Sequence, residues 1–266
     1  MLLVVPACGF TARTPGEDMP GDDDPTDEPP PPAARKCTKT DSSLRLCIDF
    51  DDEVALTSDG SGRGHDATGS GYMVMNRDSE QAVEVAGTAQ LVVAESSDLD
   101  LATELTVTLL AQPANRPPSQ GSYWALDNNR QYFISYEDDG DFRCGIGSAT
   151  VDSVIPVPPG NWYHVACTFD RGALKLFIDG RLAGCRTIAE TIPTNGTEGL
   201  AIGANVGSGT TFSNQFVGGL DNIQVFARTF SISEVCSAAG YSSCPVWPET
   251  TGNGPGGFGG SLGACL

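Results

Sequence analysis

Asn161-Trp162-Tyr163-His164-Val165-Ala166-Cys167-Thr168-Phe169-Asp170-Arg171-Gly172-Ala173-Leu174-Lys175-Leu176-Phe177-Ile178-Asp179-Gly180-Arg181-Leu182 is the stretch on which the fold turns. Tyr163, Val165, Cys167 and Phe169 fall on one face of an extended run, and Leu174, Leu176 and Ile178 on one face of the next. The spacing predicts three strands running up, down and up. Asp170-Arg171-Gly172 fits a three-residue hairpin loop whose glycine takes a positive φ, and Asp179-Gly180 is the dipeptide that a type I′ turn requires.

Around this meander, a chain of 266 residues, 39% hydrophobic and 8% aromatic, has material for one sizeable core, so one folded domain is expected. Its 32 glycines and 18 prolines, with few long apolar periodic segments, favour short strands joined by turns and an all-β fold. The formal net charge is -19, and only 15 Lys and Arg are spread along the chain. That argues against nucleic acid, which needs clustered cations, and suits a divalent cation or a plainly solvated acidic surface. Nine cysteines without a Cys-x-x-Cys pair, and with only His65 and His164 to supply imidazole, point to disulfides in an oxidising compartment rather than a zinc site. The odd cysteine is assigned to Cys8.

Residues 1–7 are too short for a complete signal peptide, and a start upstream is expected, yet Val5-Pro6-Ala7-Cys8 resembles a bacterial lipoprotein cleavage site. That resemblance implies lipidation of Cys8 and a place in the bacterial cell envelope, on the outer membrane or cell surface, with the lipid as the only membrane contact. Residues 1–8 are thus read as a signal-peptide remnant with a lipobox. Residues 9–36 hold Glu17, Asp18, Asp22, Asp23, Asp24, Asp27 and Glu28, then Pro29-Pro30-Pro31-Pro32. They lack the apolar surface to offset chain entropy and are expected to form a disordered, extended tether. Residues 246–266 are Gly-rich and read as a flexible tail.

Several blocks resemble the laminin G-like, concanavalin A-like jelly-roll family. Trp162, His164, Val165 and Ala166 match its W-x-H-V-A. Leu174, Leu176, Phe177, Ile178, Asp179 and Gly180 match L-x-L-aromatic-V/I-D-G. Leu44 to Phe50 followed by Ser58-Asp59-Gly60-Ser61-Gly62 is similar to the family's opening, and Leu105 to Pro113 to its F-T-x-x-x-W-x-x-P strand, with Leu110 in place of the tryptophan. Phe216-Val217-Gly218-Gly219-Leu220-Asp221-Asn222-Ile223-Gln224-Val225-Phe226 is similar to its closing strand, and Phe230-Ser231-Ile232-Ser233-Glu234-Val235 to its capping turn, where Ser231 or Ser233 caps one short helix. The resemblance covers residues 44–240 and implies a jelly-roll β-sandwich over 37–245 with a short C-terminal capping helix. It implies recognition of an extracellular glycan or a cell-surface protein, the glycan first. A structural calcium follows from the same resemblance, with Asp59 and Asp221 as ligands and carbonyls from Ser61 and His65. The plainer reading makes Asp59 a turn residue and Asp221 an acceptor of loop amides.

Strand geometry narrows the cysteine pairs. Cys167 and Cys185 flank the strand 174–178 and are about 9 to 10 Å apart, beyond a disulfide's reach. Cys144 with Cys167 is the simplest link, on the reading that Cys144 sits one strand earlier in the meander; Cys144 with Cys185 survives if the sheet order differs. Cys236 with Cys244, and Cys37 with Cys47, close local loops, unless first and last strands exchange partners.

Catalytic signals are weak. A jelly-roll glucanase needs E-x-D-x-x-E on one strand, because alternation then gathers its carboxylates on one face, and no such run exists; Asp49-Phe50-Asp51-Asp52-Glu53 is the nearest approach. Gly-x-Ser-x-Gly is missing from residues 44–240, and His164 lies within the most strongly patterned strand. The acidic turn Glu137-Asp138-Asp139-Gly140-Asp141 lacks EF-hand spacing and reads as a solvated tip. Asn195-Gly196-Thr197 fits a glycosylation sequon but, with a bacterial lipobox, reads as a turn. For a sugar, Trp124, Tyr132 and Tyr136 would stack and Asn128 and Asn129 would hydrogen-bond, against core packing for at least half of them. The chain thus reads as a binding protein rather than an enzyme, with an envelope adhesion module as the rival and a hydrolase last.

Overall fold

The computed structural model describes residues 37, 39–52, 54–129, 131–189, 191–194, 197–207 and 211–242, all within the unit Pro31–Leu266. Cys8 and its lipobox, the 9–36 tether, Asn195-Gly196, Cys244, Cys265 and the 246–266 tail lie outside the described residues.

Among the described residues, seventeen strands and one helix succeed one another. The first half holds β1 (Leu44–Ile48), β2 (Ala67–Ser70), β3 (Met73–Arg77), β4 (Glu80–Val85), β5 (Gln90–Val93), β6 (Glu104–Pro113), β7 (Ser122–Asp127), β8 (Tyr132–Glu137) and β9 (Phe142–Ile146). The second holds β10 (Ala149–Asp152), β11 (Tyr163–Asp170), β12 (Ala173–Ile178), β13 (Arg181–Thr187), β14 (Leu200–Ile202), β15 (Asn205–Gly207), β16 (Thr211–Ser213), β17 (Gly218–Phe226) and α1 (Ile232–Ala238). The larger sheet runs β13-β12-β11-β6-β17-β4-β3 with β1 also on β17, the smaller runs β10-β9-β8-β7-β14-β5-β2, and β15 pairs with β16.

The meander forms as its sequence dictates, with one change. β11 and β12 join through Arg171-Gly172, two residues rather than three, and the positive φ falls on Arg171 (40°) instead of the glycine. Asp179 (49°) and Gly180 (73°) both take positive φ in the next turn, as type I′ geometry demands. Val165, Cys167 and Phe169 then face inward beside Leu105, Val107 and Leu109 of β6 and Leu220, Ile223 and Val225 of β17. They meet Tyr132, Ile134 and Tyr136 of β8 and Phe142, Cys144 and Ile146 of β9 from the other sheet. Each such aliphatic or aromatic side chain stabilises the fold by roughly 1.5–3 kcal/mol when taken out of water.

A second, smaller cluster closes part of the larger sheet's outer face. Val235 and Ala238 of α1 cover Ala166, Phe177, Phe226 and Phe230 there. Ser231 is the helix cap: its side chain accepts from Glu234 N while Glu234 accepts from Ser231 N, a complete capping box.

Cys37 is bonded to Cys47 and Cys144 to Cys167. The second bridge differs in place from the sequence reading. Cys144 is not one strand before Cys167 in a common meander, because β9 and β11 belong to facing sheets. Both cysteines point into the core, so the bridge ties the two layers together. Cys185 and Cys236 are each disulfide-bonded as well.

Candidate ligand-binding face

The tyrosines expected to stack on a sugar are core residues. Tyr132 and Tyr136 are fully buried, and their hydroxyls donate to Leu99 O at 3.1 Å and Val157 O at 2.7 Å. Burial pushes both phenols above their ordinary pKa. Asn128 is buried too, donating to Leu99 O at 3.2 Å. Trp124 packs on Phe133 with ring centroids 4.6 Å apart and gives its indole N–H to Ser122 Oγ at 2.8 Å. The reason is topological: β8 is covered on both sides, so alternation along it separates two buried faces rather than a buried face from a wet one.

The two carboxylates expected to hold calcium are each engaged by donors of the protein itself. The Asp59 carboxylate accepts from Cys47 N, Ser61 N, Ser61 Oγ and His65 N at 2.6–3.0 Å. Burial alone would raise its pKa, but these donors outweigh it and hold the carboxyl below its ordinary value. Asp59 therefore fastens its own loop to β1. Asp221, on β17, is buried; its Oδ2 meets Arg77 Nε at 2.6 Å and its Oδ1 accepts from Asn222 N at 2.6 Å. Burial pushes its pKa up to about 7 against the pull of Arg77. From the loop after β1 it is Asp51, not Asp59, whose charge is felt at Asp221. Hard-cation ligands need carboxylate oxygens to spare, and here a guanidinium and main-chain amides already hold them. The residues do not fit a calcium ion, and among the described residues no group of three His, Cys, Asp or Glu is placed to hold a metal.

An accessible aromatic does exist, on the outer face of the larger sheet. The strand registers place Met73, Glu84, Gly219 and Gln112 in one row, and Trp162, just before β11, continues it. A Cβ on Gly219 would come within 2.6 Å of the Trp162 ring and 3.0 Å of Met75 Sδ, so only glycine lets the indole settle there. The Arg77 guanidinium carbon is 5.8 Å from the ring centroid. Trp162, Glu84 and Gln112 are half-buried and Met73 is 59% exposed. Gln112 donates to Gly160 O at 2.9 Å, which holds its amide beside the ring. The result is a ring over Gly219, with Met75 Sδ close to the same glycine and with Glu84 and Gln112 on the strands to either side. Sequence reading quoted Trp162 only as a fold signature; its place before a strand that pairs, through β6, with a glycine of β17 was the signal, and it needed the strand order.

The outer face of the smaller sheet carries charge instead. Arg143 bridges Glu137 at 3.0 Å and Asp152 at 2.6 Å. Burial raises the Glu137 pKa, while Ser135 and Arg143 oppose it. Asp141 is pushed up to about 6 by burial and by Asp139 and Asp152. A glycosidase pair needs one free acid and one free base or nucleophile across a gap; an arginine wedged between Glu137 and Asp152 occupies both. His164 is buried with neither ring nitrogen hydrogen-bonded, and burial lowers its pKa to about 4, so it is a neutral packed ring.

A family model described as the Concanavalin A-like lectin/glucanases superfamily matches residues 86–236. No curated protein matches the chain. Among solved structures, domain 4 of AbnA, a GH43 extracellular arabinanase from Geobacillus stearothermophilus in complex with arabinotriose, is similar with a TM-score of 0.57 and 21% identity, over 74% of this chain and 98% of that one. The binding domain of botulinum neurotoxin DC in complex with rat synaptotagmin II reaches 0.56 at 12% identity, over 74% of this chain and 51% of that one. A mutant Trypanosoma rangeli sialidase displaying trans-sialidase activity reaches 0.56 at 14%, over 75% and 34%. This chain spans only about half of the toxin domain and a third of the sialidase, and at these identities the likeness carries the fold.

Proposed function

We propose, from the premise that the chain belongs to the Concanavalin A-like lectin/glucanases superfamily, that its folded part is a non-catalytic module binding an uncharged glycan on the Trp162 face. The observation that carries this reading is the half-exposed indole seated on Gly219, with Glu84 and Gln112 beside it. A sugar ring offers an apolar C–H face to an aromatic and hydroxyls to carboxylate and amide groups. Anionic saccharides are disfavoured, since the net charge is -19 and the nearby cation, Arg77, is already paired. The arabinotriose bound to the arabinanase domain is an uncharged oligosaccharide of the class this face suits.

The test is calorimetric titration with uncharged oligosaccharides, chosen from an array. Trp162→Ala is expected to weaken binding about tenfold or more, with the fold intact by circular dichroism. Unchanged affinity would rule the face out. A protein partner is the second reading, favoured by the exposed Met73 and Val74 on β3, an end strand of its sheet. An exposed strand edge is a template for strand addition. In that case Val74→Lys abolishes partner binding and Trp162→Ala does not.

The domain is further proposed to sit in the bacterial envelope, tethered through lipidated Cys8. Support comes from the Val5-Pro6-Ala7-Cys8 pattern, the acidic Pro-rich residues that follow, and the disulfides. Cys8→Ser is expected to end metabolic labelling with palmitate and to release the protein from membranes.

A further inference from the structure

We infer that Arg77 is a built-in replacement for a structural cation, its guanidinium cross-linking the carboxylates that a calcium ion would otherwise join. Arg77 lies on β3, an end strand of its sheet, yet its side chain is 4% exposed. A charged side chain so placed needs full pairing. It has it: Nε meets Asp221 of β17 at 2.6 Å and Nη2 meets Glu80 of β4. Asp51, whose Oδ1 accepts Gln81 N at 2.9 Å, brings a third negative charge from the loop after β1.

The β3–β4 hairpin and β17, far apart in sequence, thus meet at one positive group, and the loop after β1 brings the charge of Asp51 to bear on Asp221. Such convergence is what a divalent cation achieves in a loop-rich sandwich rim, by drawing carboxylates from separate segments to one point. A guanidinium does the same with fixed, planar donors and needs no metal. The arrangement also explains why Asp59 is not recruited: its oxygens are engaged by its own loop, and the remaining link to β17 is made through Asp51 and the β3–β4 hairpin. Arg77 in addition lies over the Trp162 ring, so the same side chain that joins β3, β4 and β17 supports the proposed binding face. The inference does not depend on what that face binds.

Thermal unfolding of the full chain in chelator and in millimolar calcium is the test. The wild-type protein is expected to show the same Tm in both. Arg77→Gln in chelator is expected to lower Tm by roughly 10 °C, because it strands buried carboxylates, and calcium is expected to restore several degrees. Arg77→Gln combined with Asp221→Asn is expected to lose that calcium response. A calcium-dependent rise in the wild-type Tm would overturn the inference, as would an Arg77→Gln protein whose Tm ignores calcium. If Arg77→Gln fails to fold, Arg77→Lys, which keeps the charge, decides: calcium-independent folding supports the replacement, and calcium dependence overturns it.

Discussion

The outer faces of the two sheets are built from the same parts in opposite arrangement. On the larger sheet Arg77 stands between Asp221 and Glu80, and the Trp162 ring rests on Gly219. On the smaller, Arg143 stands between Glu137 and Asp152, and the Phe133 ring rests on Gly145 with Trp124 stacked beside it. In the first the arginine is sealed and the aromatic half-open. In the second the aromatics are sealed and the arginine is 34% exposed. A buried ion pair fixes geometry but leaves little for a ligand, whereas an open ring can still exchange water for a sugar or side chain. The proposal that a ligand binds on the larger sheet thus rests on what each face leaves accessible, not on residue type.

The two arginines provide the sharpest way to break this comparison. Arg77→Ala is expected to cost about 3–5 kcal/mol, since it removes the partner that Asp221 and Glu80 share in a dry site and leaves Asp221 to take up a proton there. Arg143→Ala should cost under about 1 kcal/mol, because solvent screens a pair whose Asp152 is 49% exposed. Equal losses in urea unfolding would show that the faces do not differ as described.

The glycines test the aromatic half. Gly145→Ala drives a Cβ into the sealed Phe133 ring and is expected to cost about 1–3 kcal/mol. Gly219→Ala should displace the looser Trp162 instead, so its main effect is on ligand affinity rather than on the melting curve.

Titration sharpens the contrast further. His164 shares the larger sheet's outer face, opposite Leu110, which is also opposite Asp221. Its folded pKa is lowered from 6.5 to about 4. Between those values His164 binds more protons in the unfolded state, so it alone makes stability rise with pH by on the order of 2–3 kcal/mol, against an opposite contribution from Asp221, whose folded pKa is pushed up to about 7. His164→Leu should flatten that rise; an unchanged slope would show the ring is not dry. Asp141, on the smaller sheet's side, moves the other way, from 3.8 up to about 6. In that window the folded state holds the extra proton and stability falls as pH rises, by less than about 1 kcal/mol after screening. Asp141→Asn should remove this small downward term in pH-dependent unfolding curves.

Much of the fold could be read from local pattern. Alternation in 163–169 and 174–178, the Asp179-Gly180 turn and the Ser231–Glu234 capping box all act between near neighbours, and each is present. The short strands β2, β10, β15 and β16 carry weaker alternation and form because neighbours pair with them. The proposed binding face was the least legible part. Tyr132 and Tyr136 looked available because an aromatic on a strand reads the same inside or out, and Trp162 was passed over because it looked like a fold marker.

By itself the sequence determined a β-sandwich built around one meander, because side-chain parity and turn chemistry are local properties that survive without knowledge of partners. It also determined the disulfide chemistry, through nine cysteines lacking metal-site spacing. Only the tertiary structure decided which faces were covered, that Cys144 and Cys167 would span the layers, and that Glu80 and Asp221 would meet at Arg77. The physical reason is that parity says which residues share a face, while strand order says what lies opposite, and burial, pairing and charge state all follow from what lies opposite.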